Sequence, residues 1–221
     1  MKKRLDNALV ERGLASSRTM AQSLVMGGKV RVNGHVAAKP AVQVADEDSI
    51  EVESPPRFVS RGGEKLEGAF AAFPDWTGEG RSCLDVGSST GGFTDCMLQH
   101  GALRVMAVDV GTNQLAWKLR SDPRVWVREN FNARYMTATD IPEVPSRAVT
   151  DVSFISLKLI LPPMVEVLEA GGEIISLIKP QFEAGRGAAP GGVVSDPAIR
   201  EQVVADISAF GQNELKLDLL G

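Results

Sequence analysis

The sequence has few of the residues from which disulfide frameworks, metal sites and aromatic surfaces are built. Its 221 residues include two cysteines, two histidines and one tyrosine. Cys83 and Cys96 are far apart, with no CxxC motif and no histidine cluster beside them. We therefore expect neither a disulfide framework nor a structural zinc site, and no other metal site is predicted. Both cysteines are interpreted as buried small apolar residues.

Long apolar runs are also missing. No stretch reaches the roughly 18 apolar residues that a membrane span needs. The start, MKKR, leads into a mixed segment and not into the apolar part of a secretory signal. These absences predict a cytoplasmic protein that does not bind a membrane. At roughly 100 to 200 residues per domain, the length allows one large domain or two unequal ones.

Charge is distributed unevenly along the chain. The whole sequence has a formal charge of -4, yet residues 1–45 contain eight basic residues and only two acidic ones. A basic head on an acidic body predicts a polyanionic partner, because steering and phosphate neutralisation act through local charge. The alternative, a basic surface that only faces water, stays open on charge alone.

The pattern of residues 1–54 predicts a small α+β module. Two short helical patterns come first, and Ser16 and Ser17 are suited to cap the second. Asn33-Gly34, between two alternating segments, predicts a hairpin with a type I′ turn.

The run GGKVRVNG at 27–34 and its flanking segments resemble the small RNA-binding domain shared by a small-subunit ribosomal protein, pseudouridine synthases and several RNA-modifying enzymes. A compact basic face suits structured RNA, which is read largely by shape and backbone. The RNA contacts that the resemblance implies are Arg4, Arg12, Arg18, Lys29 and Arg31.

A break in the pattern separates this head from the rest. The prolines of the segment SPPR at 54–57 cannot continue a helix or a strand ladder. Residues 55–61 are therefore predicted to link the head to a second domain at 62–221. Ser60 is suited to cap a helix with an apolar stripe, and Lys65 falls near the start of that helix.

From residue 80 onward, short apolar segments alternate with helix-length segments. This alternation predicts an α/β domain with a parallel sheet that is covered on both faces. Ligands of such sheets bind beyond the carboxyl ends of the strands. The predicted strands are 82–86, 105–109, 125–127, 148–152 and 173–178.

The loop after the first of these strands reads DVGSSTGG at 85–92, and the second strand ends in Asp109. Glycines allow a tight turn, and an acid about 20 residues further on can bind ribose hydroxyls. The spacing GxxxGG differs from the GxGxxG of dinucleotide enzymes and resembles the S-adenosylmethionine loop of class I (Rossmann-like) methyltransferases. A plain turn is the alternative for the loop alone.

The resemblance implies S-adenosylmethionine as the cofactor. Glu129, Asn130 and Asn132 fall in the region where class I enzymes contact adenine. The implied cofactor-binding residues are Asp85, Gly87, Ser88, Ser89, Thr90, Gly91, Asp109 and Asn132.

Three further segments, SRGGEKL at 60–66, TDVSFISL at 150–157 and LIKPQFE at 177–183, are together similar to the TlyA family. These are bacterial rRNA 2′-O-methyltransferases, often labelled hemolysin A, with an FtsJ-type catalytic domain. FtsJ-type enzymes use a Lys-Asp-Lys-Glu tetrad, and its first three members match Lys65, Asp151 and Lys179. The sequence departs from the family at the fourth member, because it reaches Gly221 without the Asn-x-Glu segment. We therefore expect the 221-residue form to bind cofactor with weak or absent turnover.

The implied reaction needs a base, because a ribose hydroxyl is a poor nucleophile until its proton is removed. Lysine, with a reference pKa of about 10.4, serves as a base when burial and a second ammonium lower that value to roughly 7 to 8. Arg186, in a glycine-rich loop, is a candidate contact for a substrate phosphate. Trp76, Trp117 and Trp126 are interpreted as core or interface residues.

The sequence therefore predicts an enzyme that methylates a ribose 2′-hydroxyl of ribosomal RNA, with a cytidine as the expected target. Its partner would be ribosomal RNA or a ribosomal subunit, and no obligate protein partner is inferred. Two alternatives remain. One is a non-catalytic RNA-binding or ribosome-assembly protein. The other is a cytolysin, which would need an amphipathic or apolar segment that the sequence lacks.

Overall fold

The computed structural model describes residues 2–53, 56–185 and 188–221. The chain divides into two compact units, Met1–Pro56 and Arg57–Gly221. Phe58 is buried in the core of the second unit, although it falls within the predicted linker 55–61. The second unit thus begins several residues before the predicted start at residue 62. Within the described ranges, no helix is long and apolar enough to cross a membrane.

Residues 2–53 of the first unit form two helices and five short strands. The helices are α1 (Leu5–Glu11) and α2 (Arg18–Met26). The strands are β1 (Lys3–Arg4), β2 (Val30–Val32), β3 (His35–Val36), β4 (Gln43–Val44) and β5 (Ile50–Val52). β1 pairs antiparallel with β4, and β2 lies between β3 and β5 in an antiparallel sheet. The helices pack around a core that includes Leu5, Leu9 and Val25.

Two local predictions for the head are confirmed. Ser17 caps α2, because its Oγ accepts a hydrogen bond from the Met20 N–H at 3.2 Å. Asn33 and Gly34 join β2 to β3 with φ angles of 50° and 81°, the positive values that a type I′ turn requires. The Asn33 side chain also fixes the neighbouring loop, since it donates to Asp48 and accepts from the Ser49 N–H.

The second unit is an α/β domain. Its helices are α3 (Gly62–Ala72), α4 (Gly92–Gln99), α5 (Trp117–Arg120), α6 (Leu157–Val167), α7 (Pro180–Glu183) and α8 (Pro197–Asn213). Its strands are β6 (Ser82–Val86), β7 (Arg104–Val108), β8 (Val125–Arg128), β9 (Arg147–Thr150) and β10 (Glu173–Ser176). All five predicted strands are therefore confirmed, with ends within two residues of the predicted ones.

The five strands form one parallel sheet in the order β10-β9-β6-β7-β8. Successive residues of each strand point to opposite faces. Cys83 and Val105 face a core that includes Leu66 of α3 and Met97 of α4, whereas Leu84 and Met106 face a core with Met164 of α6. The sheet is covered on both faces, as the continuous apolar strands predict.

The strand order reverses at β6, because the chain passes from β6 outward to β7 and β8 and then returns to β9 on the other side. Open α/β sheets bind their ligands outside the strand ends at such a reversal. A ligand site is therefore expected beside the loops that follow β6 and β9.

The start of α3 differs from the prediction in detail. The helix begins at Gly62 after Arg61, and Ser60 is one position too early to be its N-cap residue. The Ser60 hydroxyl instead accepts a hydrogen bond from the Gly62 N–H at 3.3 Å. Lys65 lies in the first turn of α3, as expected.

Candidate active site

A cavity of about 760 Å³ opens beside the carboxyl end of β6. Three parts of the second unit form its wall: the start of α3, the loop between β6 and α4, and the segments that follow β9 and β10. The lining residues are Ser60, Arg61, Gly62, Glu64, Lys65, Gly87, Ser88, Ser89, Thr90, Gly92, Phe93, Asp151, Ser153 and Lys179. The cavity thus lies at the reversal of strand order.

Glycines shape the β6–α4 loop. Gly91 has a φ of 95°, and a Cβ at this position would collide with the side chain of Leu119. A Cβ on Gly92 would collide with the Ser60 hydroxyl and the Gly63 backbone, so the close approach of α3 and α4 requires a glycine here. Of the predicted cofactor residues, the four at 87–90 line the cavity, while Gly91 supports the turn behind them.

Asp85 lies beneath this loop and does not line the cavity. Its side chain is buried, and one carboxyl oxygen accepts a hydrogen bond from the Thr94 hydroxyl at 2.6 Å. The other oxygen has no partner among the described protein atoms. Burial raises the pKa of Asp85 to about 7, and the hydrogen bond from Thr94 opposes that rise. Asp85 therefore joins β6 to α4, the two elements on either side of the loop.

Asp109 follows β7 and joins two loops. One of its oxygens accepts the Ser89 N–H at 2.8 Å, and the other accepts the Gly111 N–H at 2.6 Å. Because each carboxylate oxygen has two lone pairs, Asp109 retains the capacity to accept hydrogen bonds from a pair of ribose hydroxyls. It is also the residue that holds the glycine loop against the end of β7.

The three candidates for an adenine contact have different surroundings. Glu129 is engaged already: it pairs with Arg120 at 2.7 Å and accepts backbone N–H groups of the segment 113–115. The Arg120 guanidinium is the largest cause that lowers the pKa of Glu129 to about 2. Asn130 has a positive φ of 53°. Asn132 is exposed, and its side chain accepts from the Arg134 N–H at 3.1 Å.

The three predicted catalytic residues meet at the cavity wall. Lys65 Nζ lies 2.9 Å from Asp151 Oδ2, and Lys179 Nζ lies 2.5 Å from Asp151 Oδ1. Lys179 also donates to the Asp151 carbonyl at 3.2 Å and to the Ser153 hydroxyl at 2.8 Å. The side chains of Lys179 and Asp151 are each 17% exposed, while Lys65 is 48% exposed. The structure thus brings together residues that are more than 80 positions apart along the chain.

An aromatic pair, of which one ring is exposed, lies beside this cluster and was not predicted from the sequence. Phe154 is 91% exposed, has a positive φ of 63°, and contacts the ring of Phe182 with centroids 5.1 Å apart. A non-glycine residue with positive φ is strained, and such strain clusters at functional sites. Phe154 directly follows Ser153, which lines the cavity. The available signal was an aromatic residue in a loop at the carboxyl end of a strand.

One group among the described residues could hold a metal ion, although none was predicted. Glu67, Cys96 and His100 place their ligand atoms within 4.8 Å of one another. Both oxygens of Glu67 are already engaged, one by His100 at 2.6 Å and the other by Arg57 at 2.6 Å. The Arg57 cation beside Glu67 opposes a metal ion there.

Both cysteines are buried as expected, and burial raises the pKa of each thiol to about 12.

In the first unit, the predicted RNA contacts are partly occupied by partners of their own. Buried Asp6 accepts hydrogen bonds from Arg4, Arg18 and Gln22, and these contacts hold its pKa well below the usual range. Arg12 donates to backbone carbonyls at 45–48 and so fixes that loop. The two basic residues of the hairpin region are exposed or nearly so: Lys29 pairs with Glu53, and Arg31 donates to the Gly34 carbonyl.

Comparison with known proteins identifies the family of each of the two parts of the chain. Residues 58–217, which include the whole cavity, match the FtsJ-like methyltransferase family. Residues 3–50 match the S4 domain. The chain belongs to the FtsJ-like methyltransferase family. Enzymes of this family depend on S-adenosylmethionine, and the Rossmann-like sheet and the preceding α+β head are both confirmed.

Full-length relatives of this FtsJ-like methyltransferase support the assignment. It is 48% identical over 212 residues to the 16S/23S rRNA (cytidine-2′-O)-methyltransferase TlyA of Mycobacterium tuberculosis, covering 95% of this chain and 79% of the relative. It is 46% identical over 203 residues to hemolysin A of Brachyspira hyodysenteriae, covering 91% and 84%. A solved structure described as a hemolysin, from Streptococcus thermophilus, aligns with a TM-score of 0.69 and 46% identity over 95% of this chain and 77% of that one.

The three tryptophans of this methyltransferase differ in their exposure. Trp76 is buried and Trp126 packs against the core, whereas Trp117 is 78% exposed, so Trp117 is not a core residue and its interpretation as an interface residue stays a prediction. It lies on the four-residue helix α5, whose Leu119 fills the only buried position. Arg186, predicted to contact a substrate phosphate, lies outside the described residues.

Proposed function

We propose that this chain transfers the methyl group of S-adenosylmethionine to a ribose 2′-hydroxyl of ribosomal RNA, with a cytidine as the expected target. The observation that carries the proposal is the contact of Lys65 and Lys179 with the two oxygens of Asp151 at the wall of the cavity. The family match supports methyl transfer, and the name of the M. tuberculosis relative supports the ribosomal target.

The residues around the cavity suit the cofactor. Residues 87–90 of the loop line the cavity. Asp109 is not among the lining residues, but it holds this loop through the Ser89 N–H and retains lone pairs for ribose hydroxyls. Val110, the next residue, exposes an apolar side chain that would contact adenine. Asp85 would act indirectly, by joining β6 to α4. When bound, S-adenosylmethionine supplies an electrophilic methyl group on a sulfonium.

The chain's own residues must handle the proton of the hydroxyl. Lys179 Nζ donates to the Asp151 carbonyl and to Ser153 Oγ, and it forms an ion pair with Asp151 Oδ1. As a neutral amine, Lys179 would accept the proton of the hydroxyl. Asp151 keeps both amines in place. During the transfer, the amine would take the proton of the 2′-hydroxyl while Asp151 holds that amine beside the cavity, and the bound cofactor would supply the methyl group to the hydroxyl oxygen.

Most of the rate would come from alignment. A displacement requires the attacking oxygen, the methyl carbon and the leaving sulfur in line, and holding reactants in such a geometry is worth several orders of magnitude. A general base adds roughly 10² to 10⁴. The lysines and Asp151 belong to three different elements, so their spacing depends on the packing of the whole second unit.

Phe154 is suited to hold the base of the target nucleotide. It is exposed, adjacent to the cavity and backed by Phe182. Stacking of a nucleobase on an aromatic ring contributes about 1 to 3 kcal/mol. Phe154→Ala should therefore weaken RNA affinity or raise the KM for RNA by about tenfold or more while leaving cofactor affinity unchanged. An unchanged KM would exclude this role.

The head would supply RNA affinity. The S4 domain match and the basic residues of the first unit support binding to structured RNA. Because ribosomal RNA is the proposed substrate, we expect the protein to act in the cytoplasm. Binding through phosphates depends on salt, so the affinity for ribosomal RNA is expected to fall steeply as the salt concentration rises.

The direct experiment incubates the protein with labelled S-adenosylmethionine and ribosomal subunits, or 16S and 23S rRNA, and maps the labelled nucleotide. Because weak or absent turnover is expected of the 221 residues alone, the wild-type protein and every variant are tested with the Asn-x-Glu segment of the TlyA family appended, and we expect label on RNA with this wild-type form. Lys179→Ala should lose the transfer while its affinities for cofactor and RNA stay nearly unchanged, as for a group that acts only in the transition state. Lys216→Ala, at an exposed lysine distant in sequence from the site, is the matched control.

Two outcomes would contradict the proposal. Absence of label on any ribosomal RNA would refute the reaction. Lost RNA affinity with normal transfer at saturation in Lys179→Ala would make Lys179 a phosphate contact, and the base would then be Lys65 or water.

A further inference from the structure

Glu183 links the segment that contains Asp151 to the segment that contains Lys179, two of the three predicted catalytic residues. One carboxyl oxygen accepts a hydrogen bond from the Ser156 hydroxyl at 2.6 Å, and the other accepts the Leu157 N–H at 2.8 Å. Glu183 is the last residue of α7, which begins immediately after Lys179. Ser156 ends the loop that begins with Asp151, and Leu157 begins α6. We propose that Glu183 is a positioning residue that fixes the distance between Lys179 and Asp151, a role that rests on the proposed function.

The loop between β9 and α6 needs such a restraint. It runs from Asp151 to Ser156 without helical or strand hydrogen bonds and contains Phe154 in the strained left-handed conformation. Without Glu183, the described side-chain contacts between this loop and the 179–183 segment are those of Lys179 itself and the contact of Phe154 with Phe182. The contacts of Lys179 would have to loosen whenever Lys179 accepts the proton of the hydroxyl. Glu183 holds the two segments together through atoms that take no part in the reaction.

The carboxylate is well matched to its partners. The Leu157 N–H lies in the first turn of α6, where backbone N–H groups have no partner within the helix and where negative charge is favoured. Ser156 is the N-cap of α6, and its hydroxyl accepts from the Lys158 N–H at 3.1 Å while it donates to Glu183. Glu183 thus extends the cap of α6 to α7, and a shift of either helix would move Asp151 relative to Lys179.

A misplacement of about 1 Å can cost on the order of 100-fold in rate. We therefore expect Glu183→Ala to lower the rate constant of single-turnover methyl transfer, at saturating cofactor and RNA, by about 10- to 100-fold. The dissociation constants for S-adenosylmethionine and RNA should change by less than about twofold. Glu183→Gln should stay within about threefold of wild type, because its amide oxygen can still accept the Leu157 N–H and its amide can bond the Ser156 oxygen.

The experiment measures these rate constants and affinities at a temperature where every variant is folded, together with hydrogen exchange. Peptides covering 151–157 should exchange faster in Glu183→Ala, while peptides of β6 should not change. Glu201→Ala, at an exposed glutamate on α8, is the control for loss of a carboxylate. If Glu183→Ala does not fold, Ser156→Ala, which removes one of the two hydrogen bonds, should lower the same rate constant about 3- to 10-fold.

Failure of this inference and failure of the proposed function are distinguishable. No transfer by the wild-type protein would refute the proposed function. Transfer by wild type with an equal rate in Glu183→Ala, or an equal loss in Glu183→Ala and Glu183→Gln, would overturn the positioning role. Unchanged exchange in 151–157 would also overturn it.

Discussion

Replacement of Asp85 by Asn should change how the stability of the second unit depends on pH. Asp85 is only 1% exposed, receives one hydrogen bond from Thr94, and has a second oxygen without a partner among the described protein atoms. Burial is the main reason that its pKa is raised from 3.8 to about 7, and the charges of Asp109 and Asp151 add to the rise. A buried, incompletely paired carboxylate is costly when it is ionised.

The sign and size of the effect follow from proton linkage. Between about pH 4 and pH 7 the folded state binds more protons at Asp85 than the unfolded state does, so this group makes the free energy of unfolding fall as the pH rises. Above pH 7, the free energy of unfolding is lowered by the full amount that this group contributes. One pKa unit corresponds to about 1.4 kcal/mol, so the loss amounts to a few kcal/mol. Asn cannot ionise, and its oxygen can still accept from Thr94.

Urea unfolding followed by tryptophan fluorescence measures this effect selectively, because Trp76, Trp117 and Trp126 all lie in the second unit. Asp85→Asn should be more stable than wild type at pH 8, with a difference that shrinks toward pH 4. Groups with lowered pKa values, such as Glu129, act below about pH 4 and do not obscure this window. If the two proteins differ by the same amount at pH 5 and pH 8, Asp85 does not carry the predicted penalty.

Three further predictions concern ligands and the head. Asp109→Ala should weaken S-adenosylmethionine binding by on the order of 2 to 3 kcal/mol, and unchanged affinity in calorimetry would remove Asp109 from the site. Charge reversal of Lys29 and Arg31 together should weaken RNA binding. It should also reduce the steepness of log affinity plotted against log salt concentration by about two released ions, with Lys216→Glu as control. An unchanged slope would place the RNA surface elsewhere. Asp6→Ala should lower the melting temperature of the head, because it removes the acceptor for two arginines, and an unaltered melting curve would contradict this reading.

Most of the fold could be predicted from the sequence because local patterns determine it. The apolar runs predict all five parallel strands, and Asn33-Gly34 predicts the hairpin turn with its positive φ angles. The start of α3 differs from the prediction, because Arg61 and not Ser60 takes the N-cap position. The position of Phe58 in the core of the second unit depends on long-range packing that no local pattern contains.

The candidate site was predicted in part. Lys65, Asp151 and Lys179 could be named because the residues resemble a family and fall at the ends of strands and helices. The exposure of Phe154 and the attachment of Glu183 to α6 could not, because both depend on how loops distant in sequence meet. From its position in the sequence, Glu129 could equally have faced a ligand. Only the three-dimensional structure shows that its carboxylate accepts hydrogen bonds from backbone N–H groups.

The central claim is that the methyl group goes to a ribose 2′-oxygen under the control of the Lys65–Asp151–Lys179 cluster. The most direct measurement is alkaline hydrolysis of ribosomal RNA labelled by the protein, because a 2′-O-methyl group protects the adjoining phosphodiester bond and leaves the label in a dinucleotide. We predict alkali-resistant, labelled dinucleotides with the wild-type protein and none with Lys179→Ala. Label recovered in a mononucleotide, as for a methylated base, or equal label with Lys179→Ala would contradict the account.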